Sequence, residues 1–259
     1  MWLIVPVLLV GIGCATAARL GWLDGDSAIP VHGYRVVKSL PHDTQSFTQG
    51  LLFCDGVLYE STGKTGLSRV RRINPETGEV MDERRLPADV FGEGLTDVED
   101  RLIQLTWKAG KAYVYDRATL ERRPTLRYEG EGWGLTYDGR YLILSDGTSI
   151  LRFLDSETLT EHHTVQVRAA GKPVKDLNEL EWIDGRIWAN VWKSDRIARI
   201  HPRTGEVESW IDLEGLHPRR AHHDDVLNGI AWDAGGKRLF VSGKRWDTMY
   251  QIEVTDPPE

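Results

Sequence analysis

From about residue 33 onward, apolar and polar positions alternate with a period of two. The runs are short, such as "RLIQLTW", "AYVYD", "YLILSD", "RIARI" and "RLFVSG", and rich in Val, Ile, Leu and aromatic residues. Asp-Gly, Pro-Glu-Thr-Gly and Pro-Arg-Thr-Gly sequences punctuate them. These read as turns, because Gly supplies positive φ and Pro presets φ near the turn value. Almost no stretch shows the period of an amphipathic helix. The chain reads as all-β.

The runs repeat. "FTQGLLFCDGVLYESTG", "FGEGLTDVEDRLIQLTW", "GWGLTYDGRYLILSDG", "LNELEWIDGRIWANVW" and "LNGIAWDAGGKRLFVSGK" share one form, in which a strand, a turn and a second strand follow a small or polar pair. Aligned on Leu51, Leu95, Leu135, Leu180 and Ile230, they recur every 44, 40, 45 and 50 residues. A third strand follows each copy, and a fourth follows the first four, as in "EVMDERRLP" and "EVESWIDLEG". The fifth copy lacks its fourth strand. "GYRVVKSLP" (33–41) resembles "VMDERRLP" and precedes the first copy, so it can supply the missing strand. Five four-stranded units predict a five-bladed β-propeller over residues 33–254, closed by an N-terminal strand completing the last blade. Such closure leaves no open sheet edge. A β-sandwich does not require five equal repeats.

The copies can be compared position by position. Two residues before the aligned aliphatic stand Gln49, Glu93, Trp133, Asn178 and Asn228, followed by Gly50, Gly94, Gly134, Glu179 and Gly229. These positions open the innermost strand of each blade. The second strand runs antiparallel and returns beside that start, carrying Thr62, Trp107, Asp146, Trp192 and Lys244 at its end. Both sets therefore converge on one mouth, where Glu93 and Trp107 are neighbours and Phe47 and Phe91 lie just upstream. A few polar groups in an aromatic cup are what a small-ligand pocket requires. The plainer readings are that the tryptophans pack between blades, that the glycines permit close strand approach, and that Asp146 is a turn residue.

Composition narrows the function. With 32 basic and 39 acidic residues the net charge is −7, which argues against a nucleic-acid partner. Ten tryptophans against five phenylalanines favour flat apolar walls with a single N–H donor each. Residues 1–18, "MWLIVPVLLVGIGCATAA", read as a signal peptide with Ala15-Thr16-Ala17 as cleavage site. That predicts export to the periplasm or exterior. Retention of the apolar run as a membrane anchor, or lipidation at Cys14, is the alternative. With Cys14 in the leader and Cys54 alone in the domain, no disulfide framework is expected. His162-His163 and "HHDD" (222–225) are read as solvated loops, and no metal site is expected.

"SFTQGL", "FGEGLT", "LTWK", "GWGLT", "SDGT", "LNELEW", "NVW" and "GKRW" together, in this order, resemble the plant- and bacterial-type glutaminyl cyclases (glutaminyl-peptide cyclotransferases) across residues 33–254. The resemblance implies a five-bladed propeller that converts N-terminal glutamine of peptides or proteins to pyroglutamate, with release of ammonia. It places the acidic catalytic residue on Glu93. It places the pocket on Phe47, Gln49, Phe91, Trp107, Trp133, Asn178, Trp192 and Lys244. It implies no required cofactor, leaving open a structural ion in the central channel, and a monomer with no obligate protein partner.

The chemistry suits these residue types. A free α-amine has a pKa near 8 and is mostly protonated at neutral pH, so something must take its proton and something must protonate the departing nitrogen. One carboxylate can do both if apolar neighbours raise its pKa, and Phe91, Trp107 and Trp133 are placed to do so for Glu93. Gln49 and Asn178 can bond the carboxamide, and Lys244 can stabilise charge developing on its oxygen. Since ring closure is intramolecular, restricting rotamers supplies much of the rate. Two other classes fit less well. A lactonase-type metal-dependent hydrolase would draw on Glu93, Glu179 and Asp146, and a peptide-binding propeller would show no turnover.

Overall fold

The computed structural model describes residues 29–217 and 222–257, and every regular element among them is a strand. The leader expected at residues 1–18, with Cys14, lies outside these residues.

The chain opens with β1 (Val31–Pro41). Blade 1 is β2 (Thr48–Cys54), β3 (Val57–Thr62), β4 (Arg69–Ile73) and β5 (Val80–Arg85). Blade 2 is β6 (Gly92–Val98), β7 (Arg101–Thr106), β8 (Lys111–Asp116) and the short β9 (Leu126–Arg127). Blade 3 is β10 (Leu135–Tyr137), β11 (Tyr141–Leu144), β12 (Ile150–Asp155) and β13 (Glu161–Gln166), followed by a small hairpin of β14 (Arg168–Ala169) and β15 (Lys172–Pro173). Blade 4 is β16 (Leu177–Ile183), β17 (Arg186–Val191), β18 (Arg196–Ile200) and β19 (Val207–Asp212). Blade 5 is β20 (Leu227–Asp233), β21 (Arg238–Gly243) and β22 (Thr248–Thr255).

The fifth blade takes its outer strand from the start of the chain. Strand β1 pairs antiparallel with β22, from Gly33 opposite Thr255 to Pro41 opposite Thr248, with a bulge between Val36 and Lys38. Its first residues also run parallel to β19, Val31 opposite Trp210 and His32 opposite Ile211. This second pairing is absent from the sequence reading. It fuses blades 4 and 5 into one eight-stranded sheet, so β1 ties two blades as well as closing the ring.

Alternating strands bury one face against each neighbouring blade. The buried hydrophobic residues accordingly fall into five clusters, one per blade interface. Leu52, Tyr59 and Val70 of blade 1 meet Leu95, Leu102 and Tyr113 of blade 2. Leu51 and Leu58 of blade 1 meet Ala231 and Phe240 of blade 5. Each interface buries aliphatic and aromatic surface worth roughly 1.5–3 kcal/mol per large side chain.

At the axis the inner strands approach too closely for side chains. A Cβ on Gly94 would lie 2.5 Å from Leu135 N, and one on Gly134 would lie 1.9 Å from Asn178 O. Blade 4 carries Glu179 at the matching position. Its carboxyl, completely buried, spans the axis and accepts from Leu51 N of blade 1 at 3.2 Å and Ile230 N of blade 5 at 2.9 Å. Burial, with the nearby Glu181, drives its pKa well above the usual carboxylate value.

The expected histidine loops divide. Residues 222–225 do lie in a loop, where Asp225 accepts from Arg245 Nε at 2.6 Å. His162 and His163, by contrast, belong to the outer strand β13. There His163 stacks on Phe153 at 4.3 Å and His162 lies 4.8 Å from the Tyr141 ring. The run "EHHTVQ" is the fourth strand that the repeat calls for in blade 3, and it is polar because an outer strand facing solvent needs no apolar face.

Candidate active site

Four of the five inner strands break register where the repeat carries its polar residue. The slips fall between Thr48 and Gly50, Gly92 and Leu95, Leu177 and Leu180, and Leu227 and Ile230. Gln49, Glu93, Asn178 and Asn228 all sit within them. A bulge leaves residues unpaired and re-aims their side chains, so the motif residues are free of the ladder. In blade 3 the same position, Trp133, precedes β10.

One hydrogen bond then closes the mouth end of four blades. Trp107 N donates to Phe91 O at 3.0 Å, Trp192 N to Asp176 O at 2.8 Å, and Lys244 N to Val226 O at 2.9 Å. Gly63 N donates to Phe47 O at 2.8 Å, so the partner of Trp107 in blade 1 is Gly63, one residue beyond the Thr62 of the sequence alignment. These bonds hold Trp107 two residues from Glu93 across the hairpin.

The result is one cavity of about 220 Å³, lined by Phe47, Gln49, Phe91, Glu93, Trp107, Trp133, Asn178, Trp192 and Lys244. All nine residues proposed from sequence are present. Sites for drug-sized ligands run to roughly 300–1,000 Å³, so this volume suits the end of a single side chain with its backbone. The walls are edge-to-face aromatic pairs: Phe47 with Phe91 at 6.0 Å, Phe91 with Trp107 at 5.8 Å, and Trp133 with Trp192 at 5.7 Å. Trp133 lies flat over Gly147, where a Cβ would come within 2.7 Å of its ring. The walls are therefore part of the pocket and not blade-to-blade filler.

The floor is buried and charged. Glu93 and Lys244 are each only 4% exposed. Burial holds the Glu93 carboxyl well above the usual carboxylate range, against the pull of the Lys244 charge and a hydrogen bond from Gln49, and with a push from Glu131. Burial likewise presses the Lys244 ammonium down to about 8, while Glu93 and Asp224 oppose it. Glu93 Oε2 and Asn178 Oδ1 are buried acceptors that take no hydrogen bond from any described residue.

Sequence reasoning missed four participants. Lys64 and Asp224 also line the cavity, with Lys64 Nζ 3.8 Å above the Phe47 ring. Glu131 accepts from Trp107 Nε1 at 2.7 Å and Trp133 Nε1 at 3.1 Å, tying two walls together. Burial works against its ionisation, but those two bonds and Lys108 outweigh it and keep its pKa low. Asn228, fully buried, donates to Gln49 Oε1 at 3.1 Å. No strand pattern marks Lys64, Asp224 or Glu131, because all three lie in loops between strands. Asn228 was visible as the fifth copy of the repeat position.

The two further carboxylates that a lactonase-type site would draw on are elsewhere. Glu179 faces backbone N–H groups on the axis, as described above. Asp146 is a turn residue, accepting from Thr148 N at 3.0 Å and Thr148 Oγ1 at 2.6 Å. Among the described residues no three of His, Cys, Asp or Glu gather in a metal-binding cluster, so the carboxylate convergence a lactonase-type site needs is not formed here.

Fold and site together define a five-bladed propeller with a buried carboxyl, two amides and an ammonium in one aromatic-walled pocket at its mouth. A family model described as glutamine cyclotransferase matches residues 7–254. A glutaminyl-peptide cyclotransferase of Arabidopsis thaliana is 44% identical over 232 residues, covering 86% of this chain and 72% of the plant protein. The crystal structure of Myxococcus xanthus glutaminyl cyclase superposes with a TM-score of 0.84 at 35% identity, covering 89% of this chain and all of the other. The chain belongs to the glutamine cyclotransferase family.

Proposed function

We propose that the pocket binds the N-terminal glutamine of a peptide or protein and closes it to pyroglutamate, with Glu93 moving the proton. The observation that carries this reading is the pair of unengaged buried acceptors, Glu93 Oε2 and Asn178 Oδ1, beside a buried cation. An N-terminal glutamine brings matching groups: an α-ammonium for Glu93, a carboxamide NH2 for Asn178, and a carbonyl oxygen for Lys244.

In the reaction the α-ammonium loses one proton to solvent, and the resulting α-amine gives a second proton to Glu93 as it attacks the γ-carboxamide carbon, forming the ring C–N bond. Negative charge builds on the carboxamide oxygen, where the Lys244 ammonium stabilises it. The C–NH2 bond then breaks as Glu93 returns the proton, and ammonia leaves. A carboxyl with an ordinary pKa would be a poor base for an ammonium of pKa near 8, and desolvation of Glu93 narrows that gap. The aromatic walls hold the flexible side chain bent toward its own amine. No step calls for a cofactor. The apolar leader supports export, which makes exported peptides and proteins the substrates.

The test is to follow ammonia and free α-amine together. Glutamine-initiated peptides should lose one amine per ammonia released, and peptides with glutamine only at internal positions should release none. Ammonia from internal glutamine would instead indicate a general amidase.

A further inference from the structure

Asn228 occupies in blade 5 the bulge position that Glu93 occupies in blade 2, yet it does not line the cavity. Its Nδ2 donates to Thr48 O at 3.0 Å and to Gln49 Oε1 at 3.1 Å. The first bond fixes the second. A backbone carbonyl can only accept, so the atom facing Thr48 O must be the amide nitrogen. That nitrogen then presents its other proton to Gln49, and only the carbonyl oxygen of Gln49 can accept it. The NH2 end of Gln49 is thereby turned to the cavity it shares with Glu93.

We infer that Asn228 is a positioning residue that fixes the orientation of the Gln49 amide and so makes Gln49 a hydrogen-bond donor to Glu93. The inference rests on the proposed cyclase reaction. Without Asn228, the Gln49 amide is free to rotate by half a turn and offer its oxygen to Glu93. An oxygen there favours the protonated acid, whereas an N–H favours the carboxylate that must take the substrate's proton. The chain from the Thr48 carbonyl through Asn228 and Gln49 to Glu93 thus converts a backbone constraint into a setting of the base. The other charged and titratable groups acting on or acted on by Glu93 are Lys244, Glu131 and Tyr128, with Lys64 and Asp224 in the same cavity. The side-chain hydrogen bonds of Asn228 run instead to Thr48 and Gln49.

The test is a pH profile of kcat/KM for a glutamine-initiated dipeptide with wild type, Asn228→Ala, Gln49→Leu and the double variant. In Asn228→Ala the acidic limb should move up by about one pH unit, with about a tenfold loss below that limb. In the Gln49→Leu background the same substitution should change kcat/KM by less than about twofold, because the group it orients is gone. If Asn228→Ala does not yield folded protein, Asn228→Ser serves. Its single hydroxyl can hold the Thr48 carbonyl but not Gln49 as well, and the limb should move in the same way. A limb that stays in place in the folded variant, or effects of the two substitutions that simply multiply, would overturn the relay. Wild type that releases no ammonia at all would remove the cyclase reading itself, a separate outcome.

Discussion

Glu93 and Lys244 lie in one pocket with the same slight exposure, and burial moves their pKa values toward each other. The carboxyl is held high and the ammonium low, so the pair works across a narrow pH range. Turnover should rise with pH as Glu93 ionises, and fall again as Lys244 loses its proton through about 8. At saturating substrate, Lys244→Arg should lose the alkaline limb, since a guanidinium stays charged. An alkaline limb that persists unchanged in that variant would show that another group causes it.

Glu93→Gln keeps the size of the side chain and removes its basicity. Turnover should fall by roughly two to four orders of magnitude, the usual worth of a positioned acid–base group. Binding of a glutamine peptide should change much less, because the aromatic walls and Asn178 remain. More than about a tenth of wild-type turnover in Glu93→Gln would take the proton transfer away from this residue.

Glu179 is the second buried carboxyl near the axis, and its role should separate cleanly from that of Glu93. Glutamine at this position offers one acceptor to the two N–H groups of Leu51 and Ile230. The one left unpaired should cost about 1–3 kcal/mol of stability, with kcat per folded molecule nearly unchanged. The pH dependence has a definite sign. Because the folded state raises the Glu179 pKa above 4.5, folding favours its protonated form, and its contribution declines as pH rises above that value. The stability gap between wild type and Glu179→Gln, read from urea midpoints at about pH 5 and 8, should therefore be wider at the lower pH.

Removing residues 1–41 should lower the melting temperature by about 10 °C or more, a loss of several kcal/mol for a domain of this size. The truncation uncovers the edge of β22, strips the Leu40 contact with blades 1 and 5, and cuts the pairing with β19. A truncated protein that melts like wild type would mean that β1 is dispensable to the ring.

Activity on glutamine peptides should survive prolonged dialysis against a strong chelator, since in the proposed reaction Glu93 shuttles the proton and Lys244 meets the developing charge. Loss of activity on dialysis and recovery with a single divalent metal would require a metal in the reaction.

Much of this architecture was legible in the chain because a propeller repeats itself. Five copies let one blade check another, and the orphaned third strand of the last copy pointed to residues 33–41 as its partner. The nine pocket residues were legible for the same reason, as equivalent positions on equivalent strands. What period-two patterning cannot show is a bulge, since it changes pairing and not composition. Gln49 lines the pocket, and the hydrogen bond that its carbonyl oxygen accepts from Asn228 is a contact that no strand pattern shows. The carboxyl of Glu179, available to a lactonase-type reading, is instead committed to the backbone N–H groups of Leu51 and Ile230 on the axis. Lys64, Glu131 and Asp224 arrive from loops, whose path depends on the packed blades beneath them. The pairing of β1 with β19 likewise depends on where the closed ring brings two strand ends.

The arrangement of β1 also sets an order of events during synthesis. The strand that completes blade 5 is the first of the described strands to be made, and its partner β22 is the last. A nascent chain can assemble blades 1 to 3 from neighbouring segments as they emerge, but it must carry most of β1 without its β22 partner until residue 255 has been made. Ring closure therefore waits on the last strand of blade 5 by geometry, and the axis that seats Glu93 among its neighbours takes its final form only then.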